Sequence, residues 1–338
     1  MSIRRRLALS AIRAERAGGI AGFVAGQCRP PLTGNYTQTM RETLEYALVV
    51  ALARCLGRLP RGVARRLVHL LAILVYWSFP RLRRVGLRNL EMALPQLSSE
   101  TRKKIIRNVY VHLGWQLVEF CRMTRYTREN TRNWMRTEGL ERYLAAQAHG
   151  KGVLIITGHL GAWELSSFYH SLMGYPMGMV IRRLDNRKLD AYVNGIRCAH
   201  GNFVLSKDDF GRGLLTAMRE GKTVGILMDT NMTPPQGEFV RFFGIEACTG
   251  TGLAHIARKT GAAVLPGFMF WEESEKKYVL RFGEEVVMPQ TDDVAADILK
   301  GTQRCTDVLE TWIRRYPDQW LWIHRRWKTR PPEEPGLY

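Results

Sequence analysis

Residues 151–164 read Lys-Gly-Val-Leu-Ile-Ile-Thr-Gly-His-Leu-Gly-Ala-Trp-Glu, and they constrain the fold of this chain more than any other stretch. Val153 to Ile156 is an unbroken apolar run, mostly β-branched, closed by Gly152 and Gly158. That pattern reads as a strand buried on both faces, which requires helices on each side of its sheet. Gly158 and Gly161 permit a tight turn, and Trp163–Met173 has an apolar pattern suited to a helix. Further strands are expected at Met177–Arg182, Phe203–Leu205, Thr223–Met228, Ala263–Phe270 and Tyr278–Phe282. Helices are expected at Arg187–Ala199, Gly211–Glu220, Thr251–Thr260 and Asp293–Arg315. The alternation predicts one α/β domain with a largely parallel central sheet flanked by helices.

A reactive pair stands at the strand-to-helix corner, His159 and Glu164. Five residues apart in a regular helix they would point about 140° apart and could not meet. With His159 in the turn and Glu164 in the first helical turn, the carboxylate could reach back. It would then orient the imidazole as a general base, favoured by the positive helix end. The alternative is a histidine that caps the corner, with Glu164 exposed.

The formal net charge is +19, and its distribution tells more than its size. Residues 1–107 hold 20 Lys/Arg against 5 Asp/Glu, while residues 108–338 hold 30 against 26. The basic third is also where apolar helices are expected, at Leu44–Leu56 and Leu67–Phe79, with Arg58, Arg61, Arg65, Arg66, Arg81, Arg83, Arg84 and Arg88 around them. Neither run reaches the ~18–20 apolar residues that a bilayer crossing needs. Helices lying in an anionic membrane interface are the preferred reading, and a pair of core helices is the alternative. No nucleic-acid-binding signature accompanies the charge, so nucleic acid is not an expected partner. Three regions are expected: a basic, disordered tail at 1–40, a membrane-associating helical segment at 41–95, and the catalytic domain at 96–338. A long amphipathic helix over Ser98–Arg125, capped at Ser98 or Ser99, opens the last of these.

Several chemistries are excluded. Six cysteines without a C-x-x-C spacing suggest neither a disulfide framework nor zinc, and no metal site is expected. Gly221-Lys222-Thr223 lacks the earlier glycine of a phosphate loop and leads into a strand. There is no G-x-S-x-G and no H-E-x-x-H. What remains is His159, Glu164, Asp229 at the end of a strand, where acids commonly face the ligand crevice, and the guanidinium groups of Arg182, Arg183 and Arg197. Those arginines could hold phosphate bidentately, or two of them could be solvated charges.

Together these residues resemble the late acyltransferases of lipid A biosynthesis, members of the lysophospholipid acyltransferase superfamily. Gly158-His159-Leu160-Gly161-Ala162-Trp163-Glu164 is similar to the family's H-x4-E motif. Arg182 with Asn186, and Arg197 with Gly201, match its R-x-x-x-N and R-x-x-x-G positions. Asp229-Thr230-Asn231 stands where the family has D-Q-D, leaving Asp229 as the one acid carried over. Phe242-Phe243-Gly244 through Thr249 to Pro266, and the closing Trp322-Ile323-His324-Arg325-Arg326-Trp327-Lys328, resemble two further blocks. Arg241 departs from a frequent proline.

The resemblance covers about residues 41–338. It implies an acyltransferase moving a fatty acyl chain from a thioester of acyl carrier protein or coenzyme A to a hydroxyl of a phosphorylated glycolipid such as a lipid A precursor. The place implied is the cytoplasmic face of the inner membrane. It further implies His159, Glu164 and Asp229 as catalytic, and Arg182, Arg197, Asn186, Gly161 and Thr249 as substrate-binding. No cofactor is implied beyond the thioester co-substrate. A different glycolipid or lysolipid acceptor, an acyl-lipid hydrolase, and a lipid-surface binding protein with a degenerate site are the competing readings.

Overall fold

The computed structural model describes residues 36–206 and 210–338. Most of the basic tail expected at 1–40 therefore lies outside the described residues, and residues 36–40 are helical. The chain divides into two compact units at Glu45/Tyr46. The described part of the first is the start of helix α1 (Tyr36–Arg58), held by an exposed Arg41–Glu45 ion pair of 2.7 Å. Everything below concerns the second unit, Tyr46–Tyr338.

Helices α2 (Arg61–Ser78) and α3 (Pro80–Ala93) meet at a bend of 87°. Pro80 causes it, since proline cannot continue one helix but suits the first turn of the next. Ala64, Val68, Ala72 and Tyr76 recur every fourth residue and form the buried stripe of α2. This stripe lies on α4 (Ser99–Arg122), where Gly114 has no side chain to keep Val68 away. At the other end of the contact Glu119 is fully buried. It accepts hydrogen bonds from Arg61 (3.0 Å), Arg65 (2.8 Å) and the Tyr126 hydroxyl (2.5 Å). The guanidinium of Arg61 lies 3.9 Å from the Trp134 ring, and that of Arg65 lies 4.2 Å from Trp271. On α3, the buried Asn89 donates to the carbonyls of Trp322 and His324. α2 and α3 belong to the same compact unit as the sheet.

The sheet has seven strands: β1 (Met135–Glu138), β2 (Val153–Thr157), β3 (Met177–Ile181), β4 (Phe203–Ser206), β5 (Thr223–Leu227), β8 (Ala263–Glu272) and β9 (Lys277–Phe282). Their order is β1-β9-β8-β2-β5-β3-β4, and every pair is parallel except β8–β9. Between β5 and β8 a separate antiparallel hairpin joins β6 (Gly237–Phe242) to β7 (Ile245–Gly250). The longer helices of the unit are α5 (Leu140–Ala148), α6 (Trp163–Leu172), α7 (Arg187–Arg197), α8 (Phe210–Arg219), α9 (Gly252–Thr260) and α10 (Val294–Arg315).

Strand alternation distributes the core. Leu154, Ile156, Val224 and Ile226 face the layer of α8, α9 and α10, whereas Val153 and Ile155 face α5 and α6. Both faces are covered, as the continuous apolar run requires.

Candidate active site

The register of two neighbouring strands builds the site. Thr157, the last residue of β2, pairs with Leu227, the last of β5. Two residues beyond these partners stand His159 and Asp229, side by side at the carboxyl edge of the sheet. Imidazole Nδ1 lies 3.0 Å from Asp229 Oδ1. The backbone N–H of His159 donates to Oδ2 of the same carboxylate at 2.7 Å, and the indole N–H of Trp320 donates to it at 2.9 Å.

Asp229 has no solvent exposure. Burial alone would keep its proton on, but the charge of His159, their hydrogen bond, His324 and the Trp320 N–H together hold it below the ordinary carboxylate range. An ionised carboxylate can only accept, so the proton of a neutral His159 sits on Nδ1 and the lone pair on Nε2. For His159 itself burial works against the charged form. The Asp229 charge and hydrogen bond outweigh it, with help from Glu164, and raise the pKa above the usual imidazole value. This is the electronic arrangement of a general base.

Glu164 does not orient the imidazole. Its carboxylate makes a two-pronged pair with Arg197 on α7, Nε–Oε2 2.9 Å and Nη2–Oε1 2.5 Å. The physical reason is reach: α6 turns Glu164 towards α7, while β5 delivers Asp229 to the ring edge at Nδ1. Arg197 is accordingly a paired guanidinium on the cleft wall.

A cleft of about 250 Å³ begins at His159 and runs between the sheet and α6. Ile155, Thr157, Met177, Met179, Leu227 and Trp163 make it largely apolar, and Glu164 and Arg197 stand at its polar end. Gly225 and Gly267 flank Ile155 on the cleft side. A methyl group at Gly225 would come within 2.8 Å of the Met177 side chain, and one at Gly267 within 2.6 Å of Ile155.

Arg182 reaches the rim, its side chain 81% exposed with Asp185 at 3.5 Å. The other expected substrate contacts, Gly161, Asn186 and Thr249, each make structural contacts. Gly161 adopts φ +65°, and a side chain there would strike the Met269 carbonyl at 2.1 Å. Asn186 caps α7, accepting from the N–H groups of Lys188 and Leu189. Thr249 is buried, donating to the Ala247 carbonyl and accepting from Arg326 at 2.5 Å. Burial lowers that arginine to about 10.

Sequence reasoning had no signal for Trp320. The segment 319–324 lies along the histidine loop: Gly161 N–H donates to Gln319, Leu321 N–H donates to His159, and His324 Nε2 meets the Asp229 carbonyl at 3.1 Å. Trp320 is fully buried, and Phe242, Phe243 and Trp322 pack its ring. Trp320→Phe removes the N–H together with part of a fully buried ring, so the pH profile, which a packing loss would not move, is the deciding readout. Losing a hydrogen bond to a charged group should lower kcat by about tenfold with either KM steady. The positive end of the N–H dipole would no longer offset the carboxylate charge. His159 should therefore hold its proton to higher pH, and the acid limb of the rate profile should move up. A pH-rate series on the two proteins tests this, and an unshifted limb would rule out the role.

The comparisons with known proteins agree with the sequence resemblance. Residues 36–329 match the family of bacterial lipid A biosynthesis acyltransferases. The lipid A biosynthesis palmitoleoyltransferase of Escherichia coli (strain K12) is 29% identical over 255 residues, covering 75% of this chain and 81% of that protein. The lauroyltransferase of the same organism is 28% identical over 285 residues (83% and 90%), and its myristoyltransferase 22% over 252 (75% and 77%). The chain is thus an acyltransferase and belongs to the bacterial lipid A biosynthesis acyltransferase family.

Proposed function

We propose that this chain transfers a fatty acyl group from a thioester, carried by acyl carrier protein or coenzyme A, to a hydroxyl of a phosphorylated lipid A-type glycolipid. The observation that carries the reading is the His159–Asp229 pair at the mouth of an apolar cleft, in a chain of this family. The acyl chain occupies the cleft between sheet and α6, with the thioester carbonyl at His159. Nε2 takes the acceptor hydroxyl proton as that oxygen attacks the carbonyl carbon, and Asp229 balances the imidazolium. The N–H groups of Gly161 and Ala162 already donate to Gln319 and Met269. The first N–H groups of α6 beyond them are left to stabilise the oxyanion, since a helix start leaves its donors unpaired. Collapse breaks the C–S bond, and the imidazolium returns the proton to the departing sulfur.

The test is the purified chain with acyl thioester and a lipid A precursor, read by mass spectrometry as one added acyl group. Thioester cleavage at the same rate without acceptor would favour a hydrolase.

Membrane association belongs to the same proposal. Among the described residues no single helix is long and apolar enough to cross a bilayer. The face of α2 opposite its buried stripe is nevertheless apolar: Leu67, Leu70, Leu71, Leu74 and Trp77 are each at least half exposed. With Arg66, Arg81 and Arg84 nearby in sequence, this face suits an anionic interface. Changing Leu70, Leu74 and Trp77 to glutamine removes about 1.5–3 kcal/mol of apolar transfer at each position. Binding to anionic phospholipid vesicles should fall by more than about 100-fold, with thermal stability little changed because these side chains are mostly exposed, Trp77 giving up an edge contact with Tyr76. Equal cosedimentation of both proteins would place the attachment elsewhere.

A further inference from the structure

Residues 321–324 lie against the catalytic pair but form neither helix nor strand. Their backbone groups must therefore find partners outside the segment. Towards the site, the Leu321 N–H donates to the His159 carbonyl at 3.0 Å, and His324 Nε2 lies 3.1 Å from the Asp229 carbonyl. The Trp322 N–H donates to the carbonyl of Trp320, whose indole N–H reaches Asp229 Oδ2. The carbonyls of Trp322 and His324 are taken by one side chain, Asn89 on α3, at 2.6 and 2.7 Å. Carbonyl oxygens can only accept, so the NH₂ of Asn89 must face them. Its oxygen accepts from the Tyr338 hydroxyl at 2.5 Å.

Asn89 has no solvent exposure, and it stands in the buried stripe of α3 between Gly86, Leu90 and Ala93. A primary amide in such a stripe is costly unless its hydrogen bonds are made, and a leucine would fill the same place without that cost. What the amide adds is a grip on two carbonyls. Gly86 sets the distance for it. A methyl group there would come within 2.7 Å of Ile106 and 3.2 Å of Ile323, so α3 sits close against the segment.

We infer that Asn89 is a positioning residue of the active site: it fixes the backbone of 322–324 and so holds the Trp320 N–H and His324 against Asp229. This rests on the transferase reading above. Asn89 itself touches neither His159 nor the cleft; the contact runs from its amide through the Trp322 backbone to Trp320, the carboxylate and the imidazole. Without the amide, two carbonyls lose their partner where Asn89 has no contact with water, and the segment shifts to find new ones. A misplacement of about 1 Å far from the chemistry can cost up to about 100-fold in rate. The other ionisable groups around the pair are Glu164, matched by Arg197, and Arg326, which donates to Cys248 and Thr249. Those keep their partners, whereas His324 moves with the segment.

Asn89→Leu keeps a branched side chain of similar size and removes the donors. With acyl thioester and a lipid A precursor varied in turn, kcat should fall by about threefold to tenfold, up to the loss expected for the Trp320 N–H itself, with both KM values steady. As that N–H draws away, the carboxylate charge is less offset, His159 keeps its proton to higher pH, and the acid limb of the rate profile moves up. Adding Asn89→Leu to Trp320→Phe should shift the limb little further, because both act through one N–H. Glu119→Gln loosens α2 from α4 without touching the segment, so it should leave the limb in place and mark what a merely structural loss does. Tyr338→Phe frees the amide oxygen while keeping the donors, and should move the limb the same way by less. An unmoved limb in Asn89→Leu, or in Tyr338→Phe where Asn89→Leu fails to fold, would overturn the inference. Shifts that add in full to that of Trp320→Phe would overturn it too. Only an unaltered chain that transfers no acyl group would take the transferase reading down with it.

Discussion

Asp229→Asn is expected to lower kcat by about 10³–10⁴ while Glu164→Gln costs far less, the reverse of what an H-x4-E pair acting alone would give. The hydrogen bonds around Asp229 decide this. Its Oδ2 accepts two N–H donors, from His159 and Trp320, so the single oxygen of an asparagine must take that position. The amide NH₂ then replaces Oδ1 opposite Nδ1 and donates to it. Nδ1 must become the acceptor, which moves the imidazole proton to Nε2, the atom that has to accept the acceptor hydroxyl's proton. The variant keeps its shape and loses its base, much as His159→Ala would. A second readout fixes the sign. Asp229 holds the His159 pKa up, so without that carboxylate the imidazole releases its proton at lower pH. The acid limb of whatever activity survives should move down. Single-turnover rates across pH measure both effects. Activity of Asp229→Asn above about one tenth would leave the His159–Asp229 pair without a role, given general-base magnitudes.

Glu164→Gln has a different expected signature. The change removes the charge that matches Arg197 on the cleft wall. Its main effect should fall on how the thioester end is held in the cleft, with the basicity of His159 altered only through the minor share that Glu164 contributes.

What the sequence made legible follows from what is local. β2, β3, β5, β8 and β9, with the helices between them, lie within a residue or two of their expected bounds because each has a self-contained apolar pattern. Asp229 was legible as a strand-end acid. Its partner was not, because the pairing of β2 with β5 is a fact of strand order, and no spacing in the chain reveals it. The β6–β7 hairpin escaped for a related reason. Its turn is Phe243-Gly244, with both residues at positive φ (55° and 77°), and a phenylalanine there gives no turn signal. It is held in place by burial of the ring and by its N–H, which donates to Glu310. β1 has four residues, two of them charged, and becomes a strand by lying beside β9. Gly161 and Thr249 fitted the family pattern but sit in the frame of the site, since a resemblance marks a position without saying what occupies the space around it.

The charges of α2 are the other case in which partners decide meaning. Arg61 and Arg65 were expected as basic flanks on lipid headgroups, yet they turn inward to Glu119 and a box of Trp134, Trp115, Trp271 and Tyr278. The side chain of Glu119 has no exposure, and those of Arg61 and Arg65 keep 22% and 13%. Glu119→Gln would leave two largely buried guanidinium groups facing a neutral amide. Removing one partner of a buried ion pair costs about 3–5 kcal/mol, more than the pair contributes relative to apolar residues, because the remaining charge is uncompensated. The expected result is a loss of that size in denaturant unfolding, with kcat unchanged in the fraction still folded, since this joint holds α2 to α4 and does not line the acyl cleft. Two features make the test sharp. Adding Arg65→Met should return part of the lost stability, because it removes a stranded charge and keeps an apolar stem against Trp271. The exposed face of α2 is not altered, so vesicle binding of the folded variant should match that of the unaltered chain. A loss below about 1 kcal/mol would mean that water reaches the cluster and screens it as it screens a surface pair.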